Sequence, residues 1–453
     1  MKKCIYCIIL CLCTWLTTSS QQINREWTTN VTTAPTNILS SNIHLFDEKI
    51  GVSLTDEDAL QSFMEVLNSE GDLTGQISIP VDYLLVSYYS KVDSCFYFAG
   101  SQAVADSMIF AKMTSNGITL WRKAFLFDDY ASNAPYKISE RDDEILLSYS
   151  LFNFSGPFVS SAVGYFVFDR NGDIIRQNQP FAFPTSQVPI ISYTSALDKA
   201  GNAVLALTNF LGPCSIVKFD KMSGIPLWTQ NFDLENNDIQ ALWIDNDDNI
   251  FFSGHDNSLI KLKSDGSFIF EKELGPEGFH VGQNLLVQGG YLYVVGYHFQ
   301  ENVDNSQIYI GQFDPLNGER NWEWYFDGIP NQFGLGIEDG AFANDSTLYV
   351  LGSVSAEYEF VMKLTIKGTV SVFEHTESNT LITVFPNPTT SNIVRLNTGG
   401  LQGSIILSDV NGRLLLGQNV CDGEELTLPS GGVFFLHFQN AKGKFVQKVI
   451  SIH

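Results

Sequence analysis

The chain has 453 residues, of which 44% are hydrophobic, 13% aromatic and only 17% charged, and it contains 36 glycines. This composition is typical of a β-rich globular protein and excludes a disordered chain, which requires low hydrophobicity. The formal net charge is −24; residues 381–453 carry +1 and two N-terminal lysines carry +2, so the part between them carries −27. Because such a surface repels phosphate backbones, we expect no nucleic-acid partner.

Residues 1–20 have the features of a signal peptide. Lys2 and Lys3 precede the apolar run 4–16, and small and polar residues follow that run. This order predicts cleavage between Ser20 and Gln21 and a protein that leaves the cytoplasm. The run is too short to span a bilayer, and no later stretch reaches about 18 apolar residues, so we expect no transmembrane segment.

A repeat of roughly 50 residues occupies residues 24–375. Each copy has a turn and an apolar strand, as in DDNIFFSGH from Asp247, and then a strand, a glycine turn and another strand, as in SIVKFDKMSGIPLW. The turn glycines lie 42 to 55 residues apart and are Gly71, Gly117, Gly172, Gly224, Gly266, Gly318 and Gly368. Asn or Asp precedes several of them, which is the signature of a β-hairpin. Only Glu57–Leu67 suggests a short surface helix.

The length of the repeat fits four short antiparallel strands, which is one blade of a β-propeller. We therefore predict an all-β protein: a seven-bladed β-propeller, with six or eight blades as alternatives, followed by a small C-terminal β-sandwich. Helical solenoids need a helical period and parallel β-helices use shorter repeats, so neither fits.

Three of the hairpins share a tryptophan motif. Asp220-x-x-x-Gly224-x-x-x-Trp228 recurs as Asp314-x-x-x-Gly318-x-x-x-Trp322, and Gly117-x-x-x-Trp121 is a shorter form. These copies resemble the tryptophan-docking repeats of quinoprotein-like propellers. The resemblance implies that each indole packs between neighbouring blades. It does not carry a cofactor with it, because the adjacent cysteines common in quinoprotein dehydrogenases are absent from residues 21–453.

Candidate chemical sites in the propeller are few. Asp245 and Asp247 stand at the start of a sequence that partly matches a calcium loop, but Ile250 occupies the position of its glycine and Asp256 that of its glutamate. An acidic turn is therefore the preferred interpretation, with calcium the alternative. We predict no other cofactor or metal and no catalytic residue, since the sequence has no paired-histidine motif, nucleophile elbow or phosphate loop.

The composition changes near Thr376. Residues 376–380 are polar and predict a linker, and residues 381–453 alternate apolar strands with glycine turns, which predicts the β-sandwich.

The ordered motifs of residues 381–453 closely resemble the type A C-terminal sorting domain of the type IX secretion system. They are Pro386-Asn387-Pro388, Asp409-x-x-Gly412, a Leu-Pro-x-Gly-like strand containing Gly432, and Lys444-x-x-x-Lys448. The resemblance implies export from a Bacteroidota-type bacterium, with the type IX machinery and a sorting peptidase as partners. It further implies a secreted or surface-anchored protein after removal of the signal peptide and the tail.

Three functions remain open at this stage. The leading hypothesis is a non-catalytic extracellular module that binds a glycan, a protein or another ligand through one propeller face. The alternative is a secreted hydrolase or lyase with carboxylates at the mouth of the channel, and the third is a purely structural surface protein. Aromatic and amide groups on one face would favour binding, whereas two carboxylates, or an acid and a histidine, at the mouth would favour catalysis.

Overall fold

The structure is a computed structural model. It describes residues 22–31, 38–102, 107–127, 130, 132–153, 160–178, 181–182, 190–209, 213–234, 238–255, 257–275, 278–299, 306–326, 335–354, 358–367, 383–385, 393–397, 402–409, 414–421, 423–428, 432–440 and 443–451. The chain divides into one unit of Gln21–Lys367 and a second of Gly368–His453 with Met1–Ser20. The described residues contain no helix of the length and apolarity that a membrane span requires.

The first unit contains 29 strands in its described residues. In chain order they are β1 (Gln22–Asn30), β2 (Ile38–Phe46), β3 (Lys49–Asp56), β4 (Gln61–Leu67), β5 (Leu73–Ser78), β6 (Tyr83–Ser90), β7 (Cys95–Ser101), β8 (Met108–Thr114), β9 (Thr119–Phe125), β10 (Ser132–Arg141), β11 (Glu144–Asn153), β12 (Ser160–Phe168), β13 (Ile174–Gln177), β14 (Phe181–Ala182), β15 (Ile190–Leu197), β16 (Ala203–Asn209), β17 (Cys214–Phe219), β18 (Pro226–Phe232), β19 (Ile239–Ile244), β20 (Ile250–Gly254), β21 (Ser258–Leu262), β22 (Phe268–Glu273), β23 (Phe279–Gln288), β24 (Tyr291–Phe299), β25 (Ser306–Phe313), β26 (Arg320–Phe326), β27 (Leu335–Asn344), β28 (Thr347–Val354) and β29 (Tyr358–Lys367).

These strands form seven antiparallel sheets, so the prediction of a seven-bladed β-propeller is confirmed. Six sheets are built from consecutive strands, in the orders β2-β3-β4-β5, β6-β7-β8-β9, β10-β11-β12-β13, β15-β16-β17-β18, β19-β20-β21-β22 and β23-β24-β25-β26; β14 also pairs with β12. The first strands of consecutive sheets lie side by side, and that of the last sheet, β27, lies beside β2, which closes a ring. The first strands therefore surround one central axis.

The seventh blade joins the two ends of the first unit. Its order is β1-β29-β28-β27, and β1 pairs antiparallel with β29, with Gln22 opposite Lys367 and Asn30 opposite Phe360. The repeat predicted that the residues after Gly368 would form this fourth strand. That prediction was wrong, because the N-terminal segment occupies the outer edge of β29; residues 368–375 lie outside the described residues.

The apolar core consists of seven clusters, each between two neighbouring blades. Between the fourth and fifth sheets, for example, Val204 and Ile216 pack with Ile250, Phe252 and Ile260. In the fourth and fifth sheets, for example, the third strands β17 and β21 are wholly buried, whereas the fourth strands β18 and β22 consist mostly of exposed and half-buried residues. Each sheet therefore covers its apolar faces only against its neighbours, as repeat architectures require.

The predicted helix at Glu57–Leu67 is absent; the segment forms a turn followed by β4. The carboxylate of Asp56 accepts the backbone N–H of Ala59 at 2.9 Å, and Leu60 has a φ of 51°, which stops helical propagation. Beyond the turn Ser62, Met64 and Val66 are buried, which is the period of a strand rather than of a helix.

The turn glycines that the repeat marked join the third and fourth strands of their blades. All of those in the described residues, such as Gly117 and Gly266, have positive φ, a conformation that costs glycine little. At Gly266 a side chain would also be crowded, because a Cβ there would lie 3.0 Å from the indole of Trp228 on the preceding blade.

In three places a tryptophan and a lysine on the neighbouring strand both contact the next blade. Trp228 Nε1 and Lys218 Nζ donate to the same carbonyl oxygen, that of Ser264 in the next blade, at 3.2 and 3.0 Å. The same arrangement occurs with Trp121 and Lys112 on the carbonyl of Arg170, and with Trp27 and Lys363 on that of Ser69. The sequence motif identified Trp121 and Trp228 but missed Trp27, which lies on the N-terminal strand β1.

The described residues of the second unit form two antiparallel sheets. Its strands are β30 (Thr383–Phe385), β31 (Ile393–Asn397), β32 (Gly403–Asp409), β33 (Leu414–Val420), β34 (Glu425–Thr427), β35 (Gly432–Asn440) and β36 (Gly443–Ser451). The orders are β30-β31-β34 and β33-β32-β35-β36. Leu396 and Leu426 of the first sheet share one apolar cluster with Leu407 and Leu436 of the second.

Candidate functional site

A β-bulge interrupts every first strand of the propeller. The pairing between first and second strands shifts register at one place near the start of each first strand. The half-buried residues at these shifts, here called the mouth ring, are Ser41, Leu85, Tyr136, Tyr193, Gln240, Gln283 and Glu338. Because a bulge re-aims a side chain, one residue per blade is turned away from the blade's own packing.

Two pairs of neighbouring mouth-ring residues are in contact between blades. The rings of Tyr136 and Tyr193 have centroids 5.3 Å apart at an interplanar angle of 78°. Gln283 Nε2 donates to Gln240 Oε1 at 3.5 Å. Because the first strands surround the central axis, the half-exposed mouth ring surrounds it as well, in the half of the propeller where the first strands begin.

Behind Gln240, the buried Asp238 and the half-buried His255 and Tyr297 lie in contact with one another. Asp238 Oδ2 lies 2.5 Å from His255 Nδ1, and His255 Nε2 lies 2.9 Å from the hydroxyl of Tyr297. The same carboxylate accepts Gln240 Nε2 at 2.5 Å and Thr208 Oγ1 at 2.9 Å. A carboxylate that holds a histidine by Nδ1 fixes the orientation of the imidazole, and here it also fixes an amide of the mouth ring.

The phenols near the mouth keep their protons. Burial, with the charge of Asp238 as a further cause, raises the pKa of Tyr193 to about 12. Burial followed by the charges of Asp238 and Glu338 does the same for the pKa of Tyr297. Burial and the neighbouring Tyr193 raise the pKa of Tyr136 to about 12 as well. These side chains are therefore neutral hydrogen-bond donors at physiological pH.

Two adjacent carboxyls, Glu338 and Asp339, belong to the seventh blade. Burial and the charge of Asp339 raise the pKa of Glu338 above its usual value, although Ser353 Oγ donates to its Oε1 at 3.2 Å. Burial also raises the pKa of Asp339, and the charge of Lys137 on the third blade opposes this rise. Asn42 Nδ2 and the backbone N–H of Ile43 donate to Asp339 at 3.2 and 3.1 Å. Asp339 therefore ties two blades together, whereas Glu338 remains in the mouth ring.

The acidic turn considered as a calcium site has other partners. Asp245 accepts the backbone N–H groups of Asp247 and Asn249 at 2.7 and 2.8 Å and the Asn249 amide at 2.8 Å. Lys261 lies 3.9 Å away. Among the described residues no group of three or more His, Cys, Asp or Glu side chains could hold a metal ion. The arrangement is that of an acidic turn leading into β20, and a cation would have to displace these donors.

The structure describes only some of the residues of the sorting motifs. Asp409 is the last residue of β32, Gly432 is the first of β35, and Lys444 and Lys448 lie in β36. The others lie outside the described residues, as do the two residues of the predicted cleavage site: Pro386, Asn387, Pro388, Gly412, Ser20 and Gln21.

The sequence did not reveal the mouth ring, because a bulge leaves no composition signal and the seven residues differ in type. Its members lie about six residues before the turn between the first and second strands, as Tyr136 does before Asp142. An alignment of the repeats on that turn would have shown one column of mixed aromatic, amide and acidic residues. Asp238, His255 and Tyr297 lie on two blades, and no linear motif joins them.

Comparisons with known proteins give only a likeness in fold. No family model matches the chain, and no curated protein matches it. Among solved structures it is similar to the WD40 β-propeller domain of Doa1, with 12% identity and a TM-score of 0.47 over 76% of this chain and 97% of that one. It is also similar to the Dos1 propeller, with 12% identity and a TM-score of 0.46 over 76% of this chain and 95% of that one. At these values the likeness carries no information on ligand or activity.

Proposed function

We propose that the propeller is an extracellular ligand-binding module whose binding site is the mouth ring. The observation that carries this proposal is the ring itself: one re-aimed, half-exposed side chain from each of seven blades, including two tyrosines and two glutamines. Aromatic surface with a few placed polar groups is typical of small-ligand sites.

The support behind the ring strengthens the case for binding. Gln240 is held by Asp238, which is itself fixed by His255 and Thr208. A polar group whose rotamer is fixed before the ligand arrives loses little entropy on binding. A purely structural propeller has no need of such a network beside a half-exposed glutamine.

A mutational comparison tests the location of the site. Gln283→Ala should weaken binding of every ligand that uses the mouth ring, whereas Gln230→Ala removes the same amide from the exposed outer strand β18 and should leave binding unchanged. Titration calorimetry with a panel of neutral oligosaccharides, acidic oligosaccharides and basic peptides measures this. Binding that survives Gln283→Ala and Tyr193→Ala unchanged would place the site elsewhere; failure of the whole panel to bind would reject a binding module for these ligand classes.

The second candidate function is acid–base catalysis at the same mouth, favoured by the Asp238–His255 pair and by Glu338. A carboxylate orienting a histidine is a recurrent catalytic arrangement. The pKa of Tyr297, at about 12, makes this phenol a poor base at neutral pH, and His255 Nε2 is already engaged by its hydroxyl. Incubation of the same oligosaccharides with the protein tests the alternative: chain shortening that is abolished by Glu338→Gln would establish it.

Export by the type IX system is part of the proposal and rests on the motifs of residues 381–453. Deletion of residues 381–453 should leave the propeller inside the cell envelope, with its total amount measured in lysates to separate failed export from degradation. If the truncated protein reaches the medium at the normal level, the assignment of the tail is wrong.

A further inference from the structure

The mouth ring is divided into two chemically different arcs. Apart from Ser41 on the first sheet, the aromatic arc consists of Leu85, Tyr136 and Tyr193 on the second, third and fourth sheets. The amide–carboxyl arc consists of Gln240, Gln283 and Glu338 on the fifth, sixth and seventh sheets. A ligand at the mouth therefore meets an apolar surface on one side and hydrogen-bonding groups on the other.

The aromatic arc offers ring surface rather than charge. Tyr136 and Tyr193 meet nearly edge to face, both are half-exposed, and each has a pKa of about 12, so both phenols are neutral. An edge-to-face pair leaves one ring face available for a third partner. A partner with a flat C–H surface fits such a face.

The amide–carboxyl arc offers donors and acceptors in alternation. Gln240 uses one amide hydrogen on Asp238 and its oxygen on Gln283, while Glu338 uses Oε1 on Ser353. Gln283 Oε1 and Glu338 Oε2 accept no hydrogen bond from the described residues. A hydroxyl both donates and accepts, so neighbouring hydroxyls suit amide and carboxyl groups placed side by side.

Charge restricts the ligand further. The part of the chain between the signal segment and residue 381 carries −27, which disfavours uronates, sialylated glycans and phosphates. Lys137 on the third blade already acts electrostatically on Asp339. The site thus combines a flat apolar side, a hydroxyl-binding side and no requirement for ligand charge.

Together these features lead us to propose that the mouth ring binds an uncharged glycosyl residue, with one C–H face of the sugar against Tyr136 and Tyr193 and its hydroxyls on Gln240, Gln283 and Glu338. This inference rests on the proposed function and names its ligand class. The occupant is a neutral glycan end; a basic peptide, which a negative surface attracts by its charge, is an outcome of the test.

The experiment uses the full chain and neutral oligosaccharides that end in glucose, galactose, mannose or N-acetylglucosamine, with matched uronate oligosaccharides and a lysine-rich peptide as the other arms. We expect a neutral oligosaccharide to bind, and Tyr193→Ala and Gln283→Ala each to weaken it by about tenfold, the equivalent of one lost stacking or hydrogen-bond contact. Tyr193→Phe keeps the ring face and should stay within about threefold of the wild type. Gln230→Ala is the control, and unchanged melting temperatures show that the variants are folded.

The outcomes separate this inference from the proposed function. Neutral oligosaccharide binding that Tyr193→Ala weakens and Tyr193→Phe retains supports both. Binding of only the uronate or only the peptide, sensitive to Gln283→Ala, keeps the binding module and overturns the neutral glycan. Neutral oligosaccharide binding that neither variant changes overturns the location of the site, and hence both proposals.

Discussion

Lys218 forms a buried ion pair with Asp198 and also donates to a carbonyl of the next blade. These contacts should contribute strongly to the free energy of unfolding, and Lys218→Met tests this. Lys218 Nζ lies 2.7 Å from Asp198 Oδ2, and the two side chains are 9% and 3% exposed. Removing one partner of a buried ion pair costs about 3–5 kcal/mol, because the other charge is left without compensation. Asp198 keeps two hydrogen bonds from Asn202, at 2.8 Å each, so we expect a loss near the lower end of that range.

The loss should depend on pH. Burial tends to raise the pKa of Asp198, but the hydrogen bonds from Lys218 and Asn202 outweigh burial and hold the pKa below its usual value. In the wild type the carboxylate therefore contributes stability above about pH 4 that is lost as pH falls through the lowered folded pKa. Without the lysine, burial raises the pKa and the carboxyl is protonated more readily. The difference between wild type and variant should thus be largest near neutral pH and shrink towards pH ~4.

Urea unfolding followed by tryptophan fluorescence measures this, because six of the seven tryptophans lie in Gln21–Lys367 and none in 368–453. The control is Lys263→Met, which removes an exposed lysine from the next blade. Addition of Asp198→Asn to Lys218→Met should restore part of the lost free energy, since no buried charge remains unpaired. A loss below about 1 kcal/mol, or an equal effect of Lys218→Met with and without Asp198→Asn, would show that the pair does not stabilise the blade junction.

Three further predictions concern turns, closure and acid. Gly266→Ala and Gly290→Ala both place alanine at a φ of 83°, but a Cβ at Gly266 would lie 3.0 Å from Trp228, whereas nothing lies within 4 Å of a Cβ at Gly290. Gly290→Ala should therefore lower the free energy of unfolding by about 1 kcal/mol and Gly266→Ala by clearly more. Equal losses in urea unfolding would contradict the packing of Trp228 against Gly266. Trp27→Ala and Trp228→Ala should each lower the free energy of unfolding by about 2–3 kcal/mol, since each half-buried indole donates to a backbone carbonyl of the next blade. A negligible effect of Trp27→Ala alone would mean that β1 does not close the ring. Burial lowers the pKa of His44 to about 3, so the unfolded chain gains a proton first and the free energy of unfolding should fall as pH decreases from about 6.5 towards 3. His44→Gln should reduce the slope of the free energy of unfolding against pH by about 1.4 kcal/mol per pH unit. An unchanged slope would be inconsistent with a buried neutral His44.

The candidate site illustrates where sequence reasoning stops. Gln240, Gln283 and Glu338 lie in segments that the repeat identified only as strands, and nothing in their local sequence distinguishes them from other polar strand residues. Their place in the mouth ring is set by the bulge, which depends on pairing with the second strand. Two strands, β19 and β20, separate Asp238 from His255 in the sequence, and Tyr297 lies on another blade. The contacts among Asp238, His255 and Tyr297 form only after the blades have packed.

By itself the sequence determined the repeat unit, the all-β class and the seven blades. Glycines with positive φ and short apolar strands are local requirements, and a period repeated in register records them in the chain. The tertiary structure alone decided how the ring closes and what its centre presents. Closure pairs Gln22 with Lys367 across the whole unit, and the mouth ring brings together seven residues from seven blades; both depend on the packing of apolar faces between sheets, which acts between segments far apart in sequence and leaves no short-range pattern.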